Sequence, residues 1–171
     1  MSKIDHWAAT NAKIIGLQEA IVLSAGWKKA GQKIVFTNGC FDILHLGHVT
    51  YLAKAASLGD RLIVALNTDE SVRLLNKAPN RPIHDEKARQ IVIAALSFVD
   101  GVLLFNEQTP LSTIQALLPD VLVKGADYSA EETNKAALNY IVGSDIIRKN
   151  GGEIQTIELV SGHSTTTILS K

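Results

Sequence analysis

With one cysteine, Cys40, the chain can form no internal disulfide and lacks the thiolates of a cysteine-based zinc site. Aromatic residues make up only 5%, and charge of neither sign dominates, with 17 Lys and Arg against 17 Asp and Glu. The basic surplus and stacking rings of a nucleic-acid binder are therefore missing, and no nucleic-acid partner is expected. No apolar run approaches the ~18 residues of a membrane span, and Met1–Trp7 has no apolar signal core. These absences predict a cytoplasmic protein with no membrane partner. Internal repeats, low-complexity tracts and a separable second domain are absent too. What remains is ordinary: 171 residues, 46% hydrophobic and 20% charged. That is about one domain, able to bury roughly 70% of its unfolded surface without staples.

Short β-branched runs alternate with longer helical periods. Strands are expected at Lys33–Thr37, Arg61–Leu66, Gly101–Phe105, Val121–Lys124 and Ile154–Val160. Between the first two, His48, Tyr51, Leu52, Ala55 and Ala56 fall on one helix face. Lys87–Leu96 reads as a second helix. Thr109 with Pro110 reads as a cap and first-turn proline for a third helix, through Leu118. Ser129 with Glu132 fits a capping box for a further helix, and Thr165–Leu169 reads as a last short one. Ala78-Pro79-Asn80-Arg81-Pro82 is too rich in breakers for an element interior. Continuous apolar strands alternating with helices predict an α/β fold with a doubly wound, parallel five-stranded sheet of Rossmann type. Residues 32–171 would form that domain. Residues 1–31 would be an N-terminal helical extension, with Ile14, Leu17, Ile21 and Ala25 as its buried stripe.

Such sheets bind ligands at the carboxyl ends of their strands. Two of the five histidines lie there, in His45-Leu46-Gly47-His48 after the first strand. A spacing of i, i+3 puts both imidazoles on one side of a helix's first turn, where unpaired N–H groups already favour an anion. Gly39 and Gly47 let a ligand approach the backbone. The pattern points to a phosphate site. Zinc bound by the two histidines and Asp42 is the weaker alternative, for want of a further ligand nearby. Lys124-Gly125-Ala126-Asp127 follows a strand at the same edge, and Ser164-Thr165-Thr166 opens a helix there with three hydroxyls in a row.

The string Thr37-Asn38-Gly39-Cys40-Phe41-Asp42-Ile43-Leu44-His45-Leu46-Gly47-His48 resembles the G-x-F-D-x-x-H-x-G-H signature of the cytidylyltransferase-like nucleotidyltransferases. Asn67–Val72, Arg81-Pro82-Ile83, Val123–Tyr128 and Ser164–Thr166 are similar to one subgroup, the D-glycero-β-D-manno-heptose 1-phosphate adenylyltransferases. That subgroup forms half of a bifunctional ADP-heptose synthase. The resemblance covers roughly residues 13–169 and implies transfer of the adenylyl group of ATP, with Mg²⁺, to a sugar 1-phosphate, releasing pyrophosphate. It casts His45, His48 and Lys77 as catalytic. Thr37, Asn38, Gly39, Cys40, Phe41, Asp42, Gly47, Lys124, Ser164, Thr165 and Thr166 would hold the nucleotide, while Asp69, Arg89 and Asp127 would bind the sugar phosphate. No resident metal is implied. Partners would be small-molecule substrates, a sugar kinase on a separate chain, and a second copy of the chain in a homodimer. A cytidylyltransferase acting on glycerol 3-phosphate and a non-catalytic ATP-binding module stay open as alternatives. Relative to the subgroup pattern, Thr133–Tyr140 is an insertion close behind Asp127, and Lys87 stands where many relatives carry an acid.

Overall fold

The computed structural model describes residues 4–75 and 80–169. Five parallel strands form one sheet in the order β3-β2-β1-β4-β5: β1 (Ile34–Gly39), β2 (Arg61–Asn67), β3 (Gly101–Phe105), β4 (Val121–Gly125) and β5 (Glu153–Ile157). Central strands of such a sheet are covered on both faces, and successive side chains point to opposite sides. Val35, Val64, Leu66, Val121 and Val123 therefore meet α3 (Leu46–Ala56) and α5 (Glu86–Ala94) through Tyr51, Leu52, Ala55, Ile93 and Ala94. Ile34, Phe36, Ile63, Ala65 and Leu122 meet α2 (Leu17–Lys29), α6 (Leu111–Leu117) and α7 (Ser144–Lys149) through Ala20, Ile114, Leu117 and Ile147. The remaining helices are short: α1 (His6–Asn11), α4 (Asp69–Leu74) and α8 (Thr165–Leu169). The chain runs outward from β1 to β3, then crosses back to β4 on the other side of β1. The topological switch point, where doubly wound sheets open a crevice, thus lies at the carboxyl ends of β1 and β4.

All five strands fall where the sequence puts them, although β5 stops at Ile157, short of the expected Val160. Three local expectations are revised. The buried stripe of α2 is Ala20 and Ser24, with Ile21, Leu23 and Trp27 packed beside it, and Leu17 and Ala25 face outward. Thr109 does not cap α6: Pro110 is its N-cap residue, with no side-chain bond, and Leu118 ends the helix in the left-handed region at φ 44°. Ser129 and Glu132 open no helix. The Glu132 carboxylate accepts instead from Thr133 and Asn134 N–H, at 2.9 and 2.8 Å, in a run of turns that reaches α7. Before α2, Ile15 N–H donates to the Val102 carbonyl and Val102 N–H to the Lys13 carbonyl, at 2.9 and 2.7 Å. The N-terminal segment is thereby fastened to the free edge of β3, and Ile15 is buried in the core.

Candidate active site

A cleft of about 710 Å³ opens over the carboxyl ends of the strands. At its centre β1 gives way to α3. His45 is the N-cap residue of α3, and its Nδ1 accepts from the His48 N–H at 3.3 Å. A histidine does here what Ser or Asp usually does, satisfying one of the orphan donors of the first turn. Because Nδ1 accepts, the proton of the neutral ring sits on Nε2. Burial, and then the charge of His163, hold the His45 ring below the ordinary imidazole range. The two imidazoles stack with centroids 3.7 Å apart and planes 20° apart. His48 donates from Nδ1 to the Ile43 carbonyl at 3.1 Å, and Phe41 meets its ring edge-on at 5.0 Å. Phe41 reaches that position through a left-handed backbone (φ 45°). Its ring then lies where a side chain on Gly39 would stand, 3.0 Å from the Cβ that residue lacks.

Gly47 has a packing reason as well. A Cβ there would stand 2.8 Å from the His163 carbonyl oxygen and 3.0 Å from the His45 ring. Glycine lets the turn before α8 close onto α3, bringing Ser164, Thr165 and Thr166 to the cleft wall. Ser164 Oγ accepts from the Thr167 N–H at 3.1 Å and so closes the first turn of α8. From β4, Lys124 donates to Asn38 Oδ1 at 2.6 Å and lies 5.4 Å over the Tyr128 ring. Gly125 leaves room for the Asp127 carboxylate, whose Oδ1 would be 2.5 Å from a Cβ. Burial pushes the Tyr51 hydroxyl far above its usual value, and it hydrogen-bonds Thr37 Oγ1 at 2.7 Å.

Of the residues expected at the site, His45, His48, Asn38, Gly39, Cys40, Phe41, Gly47, Lys124, Asp127, Ser164, Thr165 and Thr166 share this cleft. Lys77 lies outside the described residues. Thr37, Asp42, Asp69 and Arg89 are not on its wall. Thr37 is fully buried beneath it. Arg89, 1% exposed, spends its guanidinium on protein: Nε to the His84 carbonyl at 3.0 Å, Nη1 to the Cys40 carbonyl at 2.8 Å, and Nη2 to Asp69 Oδ1 at 2.7 Å. It anchors α5 and the start of α4 beneath the turn that follows β1. Asp42 is also buried, accepting from Ile83 and His84 N–H at 2.8 and 3.1 Å and from Arg81 Nε at 2.9 Å. Burial raises its pKa, but the bonds from His84, Arg81 and Ile83 outweigh that and hold it below the usual carboxylate range. Lining residues to which the sequence assigned no role at the site include Arg81, Tyr140 and His163. The signal for Arg81 was a lone cation between breakers at the ligand edge of the sheet.

Residues 36–169 match the family described as Cytidylyltransferase-like. The chain belongs to that family. It is 51% identical over 158 residues to the Bifunctional protein HldE of Azorhizobium caulinodans, covering 92% of this chain and 31% of that protein. It is 50% identical to the Bifunctional protein HldE of Caulobacter sp. (strain K31), covering 93% and 31%. The chain thus spans about a third of the length of these curated relatives. Among solved structures, a lipopolysaccharide core biosynthesis protein from Thermoplasma volcanium GSS1 is 32% identical with a TM-score of 0.58, over 76% of this chain and 98% of that one. A Pantoate-beta-alanine Ligase from Francisella tularensis, solved with Beta-gamma ATP and Beta-alanine, shares the fold at 15% identity and a TM-score of 0.56, over 91% and 75%. The cleft described above is therefore the candidate active site of a nucleotidyltransferase.

Proposed function

We propose that this chain transfers the adenylyl group of ATP to D-glycero-β-D-manno-heptose 1-phosphate, giving ADP-heptose and pyrophosphate. The observation that carries the reading is the stacked His45–His48 pair at the first turn of α3, set at the switch point of the sheet. Imidazole N–H groups and the free backbone donors of that turn converge where a phosphate chain would lie. Identity near 50% to HldE proteins over most of this chain favours ATP and a heptose phosphate over other family substrates.

In this mechanism an acceptor phosphate oxygen attacks the α-phosphorus of ATP, and the bond to the bridging oxygen breaks in line, releasing pyrophosphate. The protein's work is alignment and stabilisation of charge, with no covalent intermediate. His45 Nε2–H and His48 Nε2 would meet oxygens of the reacting phosphates. The hydroxyls of Thr165 and Thr166 would hold the outgoing pyrophosphate. Mg²⁺ would enter bound to the nucleotide, neutralising its β- and γ-phosphates. Among the described residues no group of three or more His, Cys, Asp or Glu is arranged to hold a metal ion. A sugar kinase would supply the acceptor, and the working form would be a homodimer.

The test is pyrophosphate release with each nucleoside triphosphate, Mg²⁺ and a panel of phosphorylated acceptors. Release that needs ATP and the heptose 1-phosphate together is the expected result. Preference for CTP with glycerol 3-phosphate would replace this reading, and ATP binding without turnover on any acceptor would leave only a binding module.

A further inference from the structure

Arg81 and Lys124 are the only Lys or Arg side chains among the described residues that line the cleft, and they stand on opposite flanks of it. Lys124 belongs to the β4 side, where it is engaged with Asn38 and Tyr128. Arg81 belongs to the β2–β3 side, with Asn67 and Phe105 at the ends of those strands. Its side chain is only 11% exposed. Nε is committed to Asp42, whose side chain is fully buried and whose other oxygen pins the backbone of Ile83 and His84. The ion pair therefore aims the guanidinium and fixes the loop that carries it. Neither Nη nitrogen has a partner among the described residues, and neither is sealed from solvent. A planar fork held at its Nε, with both Nη ends left over on a residue that lines the cleft, matches two oxygens of one phosphate.

We infer that Arg81 binds the phosphate of the acceptor sugar through its two Nη nitrogens, with Asp42 as the residue that positions it. The inference rests on the adenylyl-transfer reading and extends it to the acceptor subsite. In-line displacement puts the attacking oxygen and the departing pyrophosphate on opposite sides of the α-phosphorus. If the Ser164–Thr166 turn beside β5 holds the pyrophosphate, the attacking phosphate comes from the β2–β3 flank. There Arg81 is the described cation, whereas Arg89, eight residues on, is buried away from the cleft with each of its three guanidinium nitrogens bonded to a protein acceptor.

Steady-state kinetics on Arg81→Gln and Arg81→Lys, with melting curves for both, test this. Arg81→Gln is expected to raise the KM for the sugar 1-phosphate about 30- to 100-fold, the size of one lost charge-assisted phosphate contact, with the KM for ATP within about twofold. Arg81→Lys keeps the charge near Asp42 but loses the fork, so its acceptor KM should rise about tenfold with a melting temperature near that of the wild type. An equal rise in both KM values, or an unchanged acceptor KM in Arg81→Lys, would make Arg81 only a strut for its loop and overturn the inference. Wild-type protein that releases no pyrophosphate with any sugar phosphate would instead sink the adenylyl-transfer reading itself.

Discussion

His48 donates its Nδ1 proton to the Ile43 carbonyl, so it would meet a phosphate through Nε2, which is a donor only when the ring is protonated. His45 has the opposite arrangement: Nδ1 accepts from the His48 N–H, and Nε2–H is the donor in the neutral ring. Two stacked rings with complementary proton positions can both face an anion without both carrying charge beforehand. His48→Ala removes one of these donors, and turnover should fall ~10²–10³-fold, the range for losing one preorganised charge donor. Near-normal turnover of a folded variant would remove His48 from the chemistry. Both histidines are legible in the sequence because their spacing and their place after a strand are local facts. The choice between Arg81 and Arg89 was not legible. Each lies within ten residues of the other after β2, and only the tertiary partners of α5 decide that Arg89 turns inward to Cys40 and Asp69.

Among the elements, the contact that holds the site together is Asp42, which ties the turn between β1 and α3 to the segment preceding α5. Asp42→Asn keeps an acceptor for the two N–H groups but removes the charge facing Arg81. Breaking a buried pair of this kind should cost about 2–4 kcal/mol, or roughly 5–15 °C in melting temperature for a chain of this length. The sign with pH follows from the depressed pKa. The ion-paired carboxylate stabilises the fold above the unfolded value of about 4, and that stabilisation is lost as pH falls through the lower folded value. The gap in stability between wild type and Asp42→Asn should therefore narrow below about pH 4. A gap that stays constant with pH would mean the carboxylate is not held ionised. At this scale the strands were legible because buried parallel strands read as unbroken apolar runs. The stretch from Ser129 to Gly143 was not. Its capping-box spacing is satisfied locally, with Glu132 bonding the next two N–H groups, while Ser129 N–H pairs with the Asn139 carbonyl. Asp145 then takes the Tyr140 hydroxyl at 3.0 Å and Lys135 at 2.7 Å, closing a loop that no periodicity announces.

For the whole molecule, the doubly wound order places the end of β1 beside β4, so the histidine turn, Lys124 and the turn before α8 meet although they are scattered through the sequence. That convergence follows from fold class, and fold class was legible. The fastening of residues 13–15 to β3 was not, because one backbone bridge leaves no pattern in side chains. The central claim is that this cleft carries out one direct transfer between two phosphates. Phosphorus NMR of a reaction containing ATP, Mg²⁺ and the heptose 1-phosphate tests it most directly. The account predicts paired resonances of a new pyrophosphate diester, growing in equal amount with free pyrophosphate and only when all components are present. ATP consumed to AMP or ADP without that diester, or an adenylyl group left on the protein, would contradict it.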